Sequence, residues 1–289
     1  MQNNHQAFVI GDPVSHSLSP KLHQFWLKKY NISGSYKAVN ISANELPSFF
    51  QKLQTGEFIG GNVTIPHKEN IFSLCDEISQ EVKEIGAINT LVLKDNKVFG
   101  ANSDWIGFLE NLDREALNWD KNAEQKHAII LGAGGASRAI IYALMRRKFS
   151  HIHILNRTKD RAISLSKQMK LVSYEEVKIR AHSLDEFNNL APKADLVVNT
   201  SSIGMNDTKF ENLALDNLPK SAIINDIVYT PLNTPLLIDA KNIRLKTVDG
   251  LGMLLFQAAF GFEKWFGVKP EIDNDLRNHL LSALGEKPC

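Results

Sequence analysis

A glycine-rich turn between a β-branched run and an amphipathic run is the feature that most constrains the fold of this chain. The segment reads HAIILGAGGASRAIIYAL, in which Gly132, Gly134 and Gly135 follow the apolar run. A strand, a glycine turn and a helix in this order let backbone N–H groups and a helix N-terminus approach a pyrophosphate. Ser137 stands where the usual fingerprint has a third glycine or an alanine. The segment predicts a dinucleotide-binding loop in a doubly wound α/β domain.

The end of the next apolar run indicates which dinucleotide would bind. An NAD-specific domain normally has an acidic residue about 20 positions after the glycines, whereas HIHILNRT ends in Asn156, Arg157 and Thr158. An arginine can pair with a 2′-phosphate that an aspartate would repel, so NADP(H) is favoured over NAD. Arg161, one helical turn later, is a further candidate contact. The alternative for both arginines is a solvated surface charge.

Strand and helix patterns alternate along the rest of the chain as well. AFVIGD, SYKAVNI and FIGGNVT alternate with longer helical patterns in the first part, and a more regular series begins at HAIILG. Such alternation is typical of mostly parallel sheets flanked by helices. A polar stretch within residues 104–126 separates the two series. We predict one α/β domain at 1–104, completed by C-terminal helices at about 251–289, and a second at 105–250.

Charge and cysteine content exclude several kinds of partner. The net charge of +1 over 289 residues gives no basic surplus for a nucleic acid or an anionic membrane, so we expect a small-molecule partner. The two cysteines, Cys75 and Cys289, suit neither a disulfide framework nor a zinc site and fit a reducing cytoplasm. The first residues lack a secretion leader and LGMLLFQAAFGF is too short to span a membrane, so a cytoplasmic location is expected.

Three clusters of polar residues follow predicted strands of the first domain, where open α/β sheets place their ligands. Hydroxyls, amides, one lysine and one aspartate together suit a polyhydroxylated carboxylate as the ligand. Histidines also occur in these clusters, but without metal-ligand companions, so we assign no metal. The clusters contain Ser17 and Ser19 in GDPVSHSLSP, Asn62, Thr64 and Lys68 in NVTIPHK, Asn89 in GAINT and Asp104 in GANSD.

Eight motifs, in order, resemble those of the shikimate dehydrogenase family: GDPVSHSLSPKLH, NVTIPHK, GAINT, GAGGASRA, NRT, NTSSIGM, DIVYTPLNTPLL and DGLGMLLFQA. The resemblance implies an N-terminal α/β substrate domain and a Rossmann-type doubly wound NADP-binding domain, with the active-site cleft between them. It implies an oxidoreductase acting on a CH–OH group. The implied reaction is the reversible NADPH-dependent reduction of 3-dehydroshikimate to shikimate, in the shikimate pathway of aromatic amino acid biosynthesis.

The resemblance also implies roles for individual residues. Lys68 is the catalytic candidate, as the acid that protonates the developing alkoxide, with Asp104 orienting it. The implied substrate contacts are Ser17 and Ser19 to the carboxylate, Thr64, Asn89, Asp104 and Gln257 to the ring hydroxyls, and Tyr229. The candidate NADP contacts are Gly132, Ala133, Gly134, Gly135, Ala136, Asn156, Arg157, Thr158, Arg161, Thr200, Ile227 and Gly250.

Structural alternatives remain open for several of these residues. Ser17 and Ser19, the latter before Pro20, also fit a helix N-cap, and Asp104 has the same alternative at the start of its helix. Gln257 also fits an exposed helix face. Tyr229 also fits a half-buried packing role, and Lys68 can stabilise charge while water delivers the proton.

The function has alternatives too. A quinate or dual quinate/shikimate dehydrogenase using NAD, a non-catalytic NADP-binding sensor, and another dehydrogenase of the same plan remain open. The chain is expected to be a monomer or a homodimer.

Overall fold

Two six-stranded sheets form the frame of the protein in a computed structural model, which describes residues 5–287. The predicted α/β class is confirmed. One unit runs from the start of the described chain to Asp104 and resumes at Leu254, and the other comprises Trp105–Met253. The second boundary falls between Met253 and Leu254, within a helix, whereas the sequence pattern places it after residue 250. The ends of the predicted first domain, 1–4 and 288–289, lie outside the described residues.

The sheet of the first unit is mixed, with strand order β2-β1-β3-β5-β6-β4. Its strands are β1 His5–Gly11, β2 Gly34–Asn40, β3 Gly60–Val63, β4 Glu77–Ile78, β5 Thr90–Lys94 and β6 Lys97–Ala101. The strand β1 pairs in parallel with β2 and β3, whereas β5 pairs antiparallel with both β3 and β6. The β5–β6 hairpin turns at Asp95 and Asn96, which both adopt positive φ and so suit a tight two-residue turn. This hairpin is absent from the elements predicted by the sequence pattern.

The sheet of the second unit is entirely parallel, with strand order β12-β11-β10-β7-β8-β9. Its strands are β7 His127–Leu131, β8 His151–Asn156, β9 Lys178–Ser183, β10 Leu196–Asn199, β11 Ile223–Asp226 and β12 Lys246–Val248. The strand order reverses at β7, which pairs with β10 on one side and β8 on the other. A dinucleotide binds such a sheet at this switch point, beyond the carboxyl ends of the strands.

Helices are assigned to both units. The first unit contains α1 Ser19–Lys29, α2 Leu46–Gln54, α3 Gln80–Ile85 and α10 Asn274–Ala283. The second unit contains α5 Gly135–Arg146, α6 Lys159–Lys170, α7 Phe187–Leu190 and α8 Pro235–Asn242. The unit boundaries fall within α4 Asp104–Glu115 and α9 Gly250–Phe266.

Each unit has its own apolar core. In the first unit the ring of Phe8 meets those of Phe49 and Phe58 edge to face, with centroids 4.9 and 5.1 Å apart. In the second unit Leu131, Leu155 and residues of α8 pack on one face of the sheet. Burial of this apolar surface is the main favourable contribution to folding.

Membrane-spanning character and cysteine state were both predicted from the sequence. Across residues 5–287, every helix is too short or too polar to cross a bilayer. The thiol of Cys75 is free, and Cys289 lies outside the described residues.

Two leucine substitutions test how strongly the second core holds its unit together. Leu237 in α8 is only 1% exposed, so Leu237→Ala should lower the free energy of unfolding by about 2–5 kcal/mol. Leu117 is 87% exposed in the same unit, so Leu117→Ala should change it by less than about 0.5 kcal/mol. Urea unfolding followed by circular dichroism measures both, and equal losses would contradict this difference in packing.

Candidate active site

Lys68, Asn89 and Asp104 meet at one point of the first unit. The ammonium Nζ of Lys68 lies 2.6 Å from Oδ2 of Asp104, and their side chains are only 14% and 7% exposed. The amide of Asn89 donates to the other carboxylate oxygen of Asp104, Oδ1, at 2.9 Å. The ammonium of Lys68 is thus held at a largely buried position, and its counter-ion Asp104 is oriented by Lys68 at one oxygen and by Asn89 at the other.

The backbone places these three side chains. Lys68 lies in the loop after β3, and its carbonyl accepts the N–H of Ile88 at 2.8 Å, so the loop is attached to the segment before β5. Asp104 is the first residue of α4, and its N–H donates to Asn102 Oδ1 at 3.0 Å. The predicted meeting of the NVTIPHK, GAINT and GANSD motifs therefore follows from short, specific hydrogen bonds.

Gln257 of α9 joins the same cluster. It is 7% exposed, and its Oε1 accepts from Asn89 Nδ2 and from Ser103 Oγ, each at 3.3 Å. Its own amide donates to the carbonyl of Leu254 at 3.2 Å. The alternative of an exposed helix face for Gln257 is wrong, because the polar groups of the cluster satisfy a buried amide here.

Ser17, Ser19 and Thr64 lie in the same unit but outside this network. Helix α1 begins at Ser19 and its N-cap is Leu18, so the N-cap alternative for Ser19 is wrong. Ser17 Oγ instead accepts the N–H of Ser19 at 3.2 Å, while Ser19 is buried and Thr64 half-buried. Within residues 5–287, no hydrogen bond connects these three side chains to the Lys68 cluster.

Two further residues support Asn89: Asn62, which the sequence analysis includes in its polar clusters, and Ser103, to which it assigns no role. Asn62 Nδ2 donates to the carbonyl of Asn89 at 3.1 Å, and the hydroxyl of Tyr36 donates to Asn62 Oδ1 at 2.6 Å. Ser103 N–H donates to Asn89 Oδ1 at 2.7 Å. The available signal for Ser103 was that it directly precedes Asp104.

In the second unit, the glycine loop leads from β7 into α5. Gly132 has φ of +121°, and a Cβ there would lie 2.7 Å from Thr200 Oγ1, so glycine is required. Ser137 accepts the N–H of Gly134 at 3.1 Å and lies 2.7 Å from Thr200 Oγ1, which itself donates to the Leu131 carbonyl. Ser137 therefore replaces the third glycine of the fingerprint with a hydroxyl that braces the loop.

The loop fits the pyrophosphate of a dinucleotide. A Cβ at Gly134, the N-cap of α5, would meet no atom within 4 Å, so open space adjoins the start of the helix. Ala133, Gly135 and Ala136 are partly exposed beside it. Backbone N–H groups at the start of a helix and the positive end of the helix dipole suit an anion at this position.

The tip after β8 carries the residues predicted to select NADP. The amide of Asn156 donates to the Thr158 carbonyl at 2.9 Å, and Arg161 N–H donates to the same carbonyl at 3.1 Å. Arg157, Thr158 and Arg161 are exposed, and within residues 5–287 neither arginine forms an ion pair. Two unpaired guanidinium groups at this position suit a phosphate, although the geometry is equally that of solvated surface charges.

Ile227 and Gly250 are brought together beyond β11 and β12. A Cβ at Gly250 would lie 2.4 Å from the Ile227 carbonyl oxygen, and Ile227 N–H donates to the carbonyl of Asn199 at 3.1 Å. Tyr229 is half-buried after β11 and belongs to the second unit, unlike the other predicted substrate contacts.

Asp226 organises the loops after β10 and β11 and was not predicted from the sequence. Its carboxylate accepts from Thr234 Oγ1 at 2.7 Å, Asn199 Nδ2 at 2.8 Å and the N–H of Val228 at 3.0 Å. Burial raises the pKa of Asp226 to about 6, against the opposing effect of these donors. Its position in the DIVYTP motif, at the end of a strand, was the available signal.

Comparison with protein families covers most of the chain. Residues 9–91 match the shikimate dehydrogenase substrate binding domain, and residues 114–253 match the shikimate / quinate 5-dehydrogenase model. Residues 250–275 match the shikimate 5′-dehydrogenase C-terminal domain.

Individual relatives agree with these matches. The chain is 43% identical to shikimate dehydrogenase (NADP(+)) of Brucella abortus strain S19, over 99% of this chain and 97% of the relative. It is 46% identical to the enzyme of that name from Mesorhizobium japonicum, over 98% of each chain. The crystal structure of shikimate 5-dehydrogenase from Thermus thermophilus, in complex with NADP(H) and shikimate, has a TM-score of 0.81 and 33% identity, covering 92% of this chain and 95% of that one.

Replacing Asp226 should change how the free energy of unfolding depends on pH. The pKa of Asp226 is about 6 in the folded protein, above its ordinary value of 3.8. Between pH 3.8 and about pH 6, Asp226 is therefore protonated in the folded protein and ionised in the unfolded chain. Relative to Asp226→Asn, the wild-type protein should lose stability as pH rises from about 4 to about 6, with little change above. Urea unfolding across this range measures it, with the exposed Asp239→Asn as control. Parallel curves for wild type and Asp226→Asn would contradict the assignment.

Proposed function

The chain belongs to the shikimate dehydrogenase family, and from this premise we propose that it catalyses the reversible reduction of the ketone of 3-dehydroshikimate to the alcohol of shikimate, with NADP(H) as cofactor. It is an oxidoreductase, and its product would serve aromatic amino acid biosynthesis. Substrate binding is assigned to the first unit, and NADP binding to the unit Trp105–Met253.

The observation that carries the proposal is the buried pair of Lys68 and Asp104. Reduction of a ketone leaves a developing alkoxide that needs a proton, and an ammonium within hydrogen-bond reach can supply it. Lys68 has three N–H donors, and the 2.6 Å contact with Asp104 uses one of them. The remaining donors are available to the substrate oxygen, with Asp104 holding the ammonium in position. In the reverse direction the neutral amine would accept the proton of the alcohol.

The polar cluster around this pair supports recognition of a ring that carries several hydroxyls. Asp104, Asn89 and Gln257 offer carboxylate and amide groups that can accept and donate to hydroxyls, and Thr64 is half-buried in the same unit. The hydroxyls of Ser17 and Ser19, at the start of α1, are assigned to the substrate carboxylate. Tyr229 is assigned to the substrate as well, from the second unit.

The residues assigned to NADP lie at the carboxyl ends of the parallel strands. The loop Gly132–Ala136 would hold the pyrophosphate, and Asn156, Arg157, Thr158 and Arg161 the adenosine ribose with its 2′-phosphate. Thr200, Ile227 and Gly250 complete the set beyond β10, β11 and β12. When bound, NADPH supplies the hydride that the protein's own residues cannot.

A cytoplasmic location and a monomeric or homodimeric state belong to the same proposal. The free, partly buried thiol of Cys75 suits a reducing compartment, and burial raises its pKa to about 12, so it is unreactive.

Steady-state kinetics of the purified protein test the proposed reaction. Shikimate and quinate would each be oxidised with NADP and with NAD, and shikimate with NADP should have the highest kcat/KM, because the β8 tip lacks an acidic residue and carries two arginines. A preference for quinate with NAD would contradict the assignment of substrate and cofactor. Absence of turnover with all four pairs would favour a binding protein on the same scaffold.

Substitution of Lys68 tests its role as the acid. Lys68→Met preserves the length of the side chain and removes the ammonium, so kcat should fall about 100-fold to 10,000-fold. The Kd for NADP, measured by fluorescence, should change little and reports that the variant is folded. Lys21→Met, at an exposed position of α1, is the control and should retain full activity. Near-normal kcat in Lys68→Met would rule Lys68 out as the acid.

A further inference from the structure

Four histidines lie side by side on one face of the second sheet, outside the assigned substrate and cofactor residues. His127 begins β7, His151 and His153 lie on β8, and His182 lies on β9. The parallel register pairs His127 with His151, and pairs Leu155, two residues beyond His153, with His182. Because alternate residues of a strand point to the same face, all four imidazoles project from one side of the sheet.

Three of these rings form a hydrogen-bonded series that ends on a carboxylate. His127 Nδ1 lies 3.3 Å from His153 Nε2, His153 Nδ1 lies 3.1 Å from His182 Nε2, and His182 Nδ1 lies 2.9 Å from Glu186 Oε2. A carboxylate can only accept, so Nδ1 of His182 carries the hydrogen and its bare Nε2 accepts from His153. The same argument applies to His127, so each neutral ring donates toward Glu186.

The ring nitrogens of neighbouring histidines are hydrogen-bonded to each other, which distinguishes this cluster from a metal site. Each ring nitrogen inside the series faces the next ring instead of a common point. Within the part of the chain that the structure describes, no three His, Cys, Asp or Glu side chains are placed to share a metal ion. The geometry is that of a path for protons.

Glu186 connects the series to the tip after β8. Its Oε1 accepts from Lys159 Nζ at 2.8 Å and from the N–H and hydroxyl of Ser183 at 3.0 and 2.9 Å. Lys159 is the first residue of α6, two residues after Arg157, and Ser183 is the register partner of Asn156. The charge balance at Glu186 therefore acts directly beside the residues assigned to the 2′-phosphate.

Burial favours the neutral form of His127, His151 and His153. Burial, followed by the charges of neighbouring histidines, lowers the pKa of His153 to about 4. Burial also lowers the pKa of His127 and of His151, with Asp195 opposing the shift at His127. The charged groups that face the series from the surrounding elements are Lys178 and Arg180 of β9, Lys159 of α6, Glu186 after β9, and Lys193 and Asp195 before β10.

We propose that the series of His127, His153 and His182, ending on Glu186, is a proton-sensitive element that raises the affinity of the β8 tip for the 2′-phosphate of NADP in acid. The proposal rests on the proposed function. A proton taken from solvent by His127 Nε2 displaces the Nδ1 proton of His127 to His153 Nε2, and that of His153 to His182 Nε2. The two hydrogen bonds between rings reverse, the bond from His182 Nδ1 to Glu186 keeps its direction, and none is lost. His182 is then an imidazolium beside Glu186.

This protonation changes the field at the tip. Glu186 is then shared by two cations, His182 and Lys159, so the net charge beside Arg157 rises by one. A unit charge within about one Debye length, about 8 Å, should tighten the binding of a doubly charged phosphate about threefold. NAD lacks that phosphate, so its affinity should change much less.

Binding measurements at two pH values test the proposal. The Kd of NADP and of NAD would be measured by calorimetry for wild type, His182→Asn and His279→Asn. Asparagine places an amide where His182 Nδ1 lies, so the bond to Glu186 is kept while the titrating ring is removed. His279 is exposed on α10 in the other unit and is the control.

The ratio of the NAD Kd to the NADP Kd should be equal for wild type and His182→Asn at about pH 8. At about pH 5.5, where the 2′-phosphate carries between one and two charges, the ratio should be about twofold to threefold higher in wild type. His279→Asn should follow wild type. Protonation of the 2′-phosphate itself affects every protein equally. Equal ratios for wild type and His182→Asn at both pH values would overturn the proposal, whereas failure of wild type to bind NADP at about pH 8 would overturn the proposed function.

A second measurement needs no variant. Binding linkage is reciprocal, so saturating NADP should raise the midpoint at which the ring signals of the series titrate in nuclear magnetic resonance spectra, and saturating NAD should raise it less. Identical midpoints with NADP and NAD would overturn the proposal.

Discussion

A buried ion pair between an ammonium and a carboxylate needs further hydrogen bonds to replace the water that each group has lost. This requirement organises the first unit. Lys68 and Asp104 form such a pair, and the amide of Asn89 occupies the second oxygen of Asp104. Asn89 is in turn held by Asn62, and its amide also approaches Gln257. The strands and loops that deliver these residues must end close to one another, so the sheet positions a site before any substrate arrives. This preorganisation lowers the cost of ordering groups during the reaction.

In the second unit the corresponding constraint is close backbone approach. Gly132 and Gly250 lie where a Cβ would collide with Thr200 or with the Ile227 carbonyl. Both positions follow parallel strands, where the chain must turn tightly and leave room for a dinucleotide. Asp226 connects the neighbouring loops through hydrogen bonds to Asn199, Val228 and Thr234, and burial raises the pKa of its carboxyl group. The cofactor face is therefore formed by backbone geometry as much as by side-chain chemistry.

Local patterns in the sequence predict most of this fold, and long-range contacts account for what they miss. Alternating strand and helix patterns predict two α/β domains, and the glycine turn predicts the start of α5. Periodicity suggested an exposed Gln257, because its partners Asn89 and Ser103 lie more than 150 positions earlier in the chain. Ser19 was a candidate N-cap, but the backbone turns one residue earlier, at Leu18. The histidine series was equally invisible, since only strand register brings its members together.

The discontinuity of the first unit has a consequence for how the chain folds during synthesis. Residues up to Asp104 emerge from the ribosome first, yet their unit also needs the segment from Leu254 onward, including Trp265, whose indole N–H donates to the Leu91 carbonyl in β5. The continuous unit Trp105–Met253 can complete its sheet before the segment from Leu254 onward, which the first unit needs, has been synthesised. Until the last helices arrive, part of the apolar surface around Val9 and Tyr36 stays uncovered, and a nascent chain in this state is a natural client for a chaperone that shields hydrophobic surface.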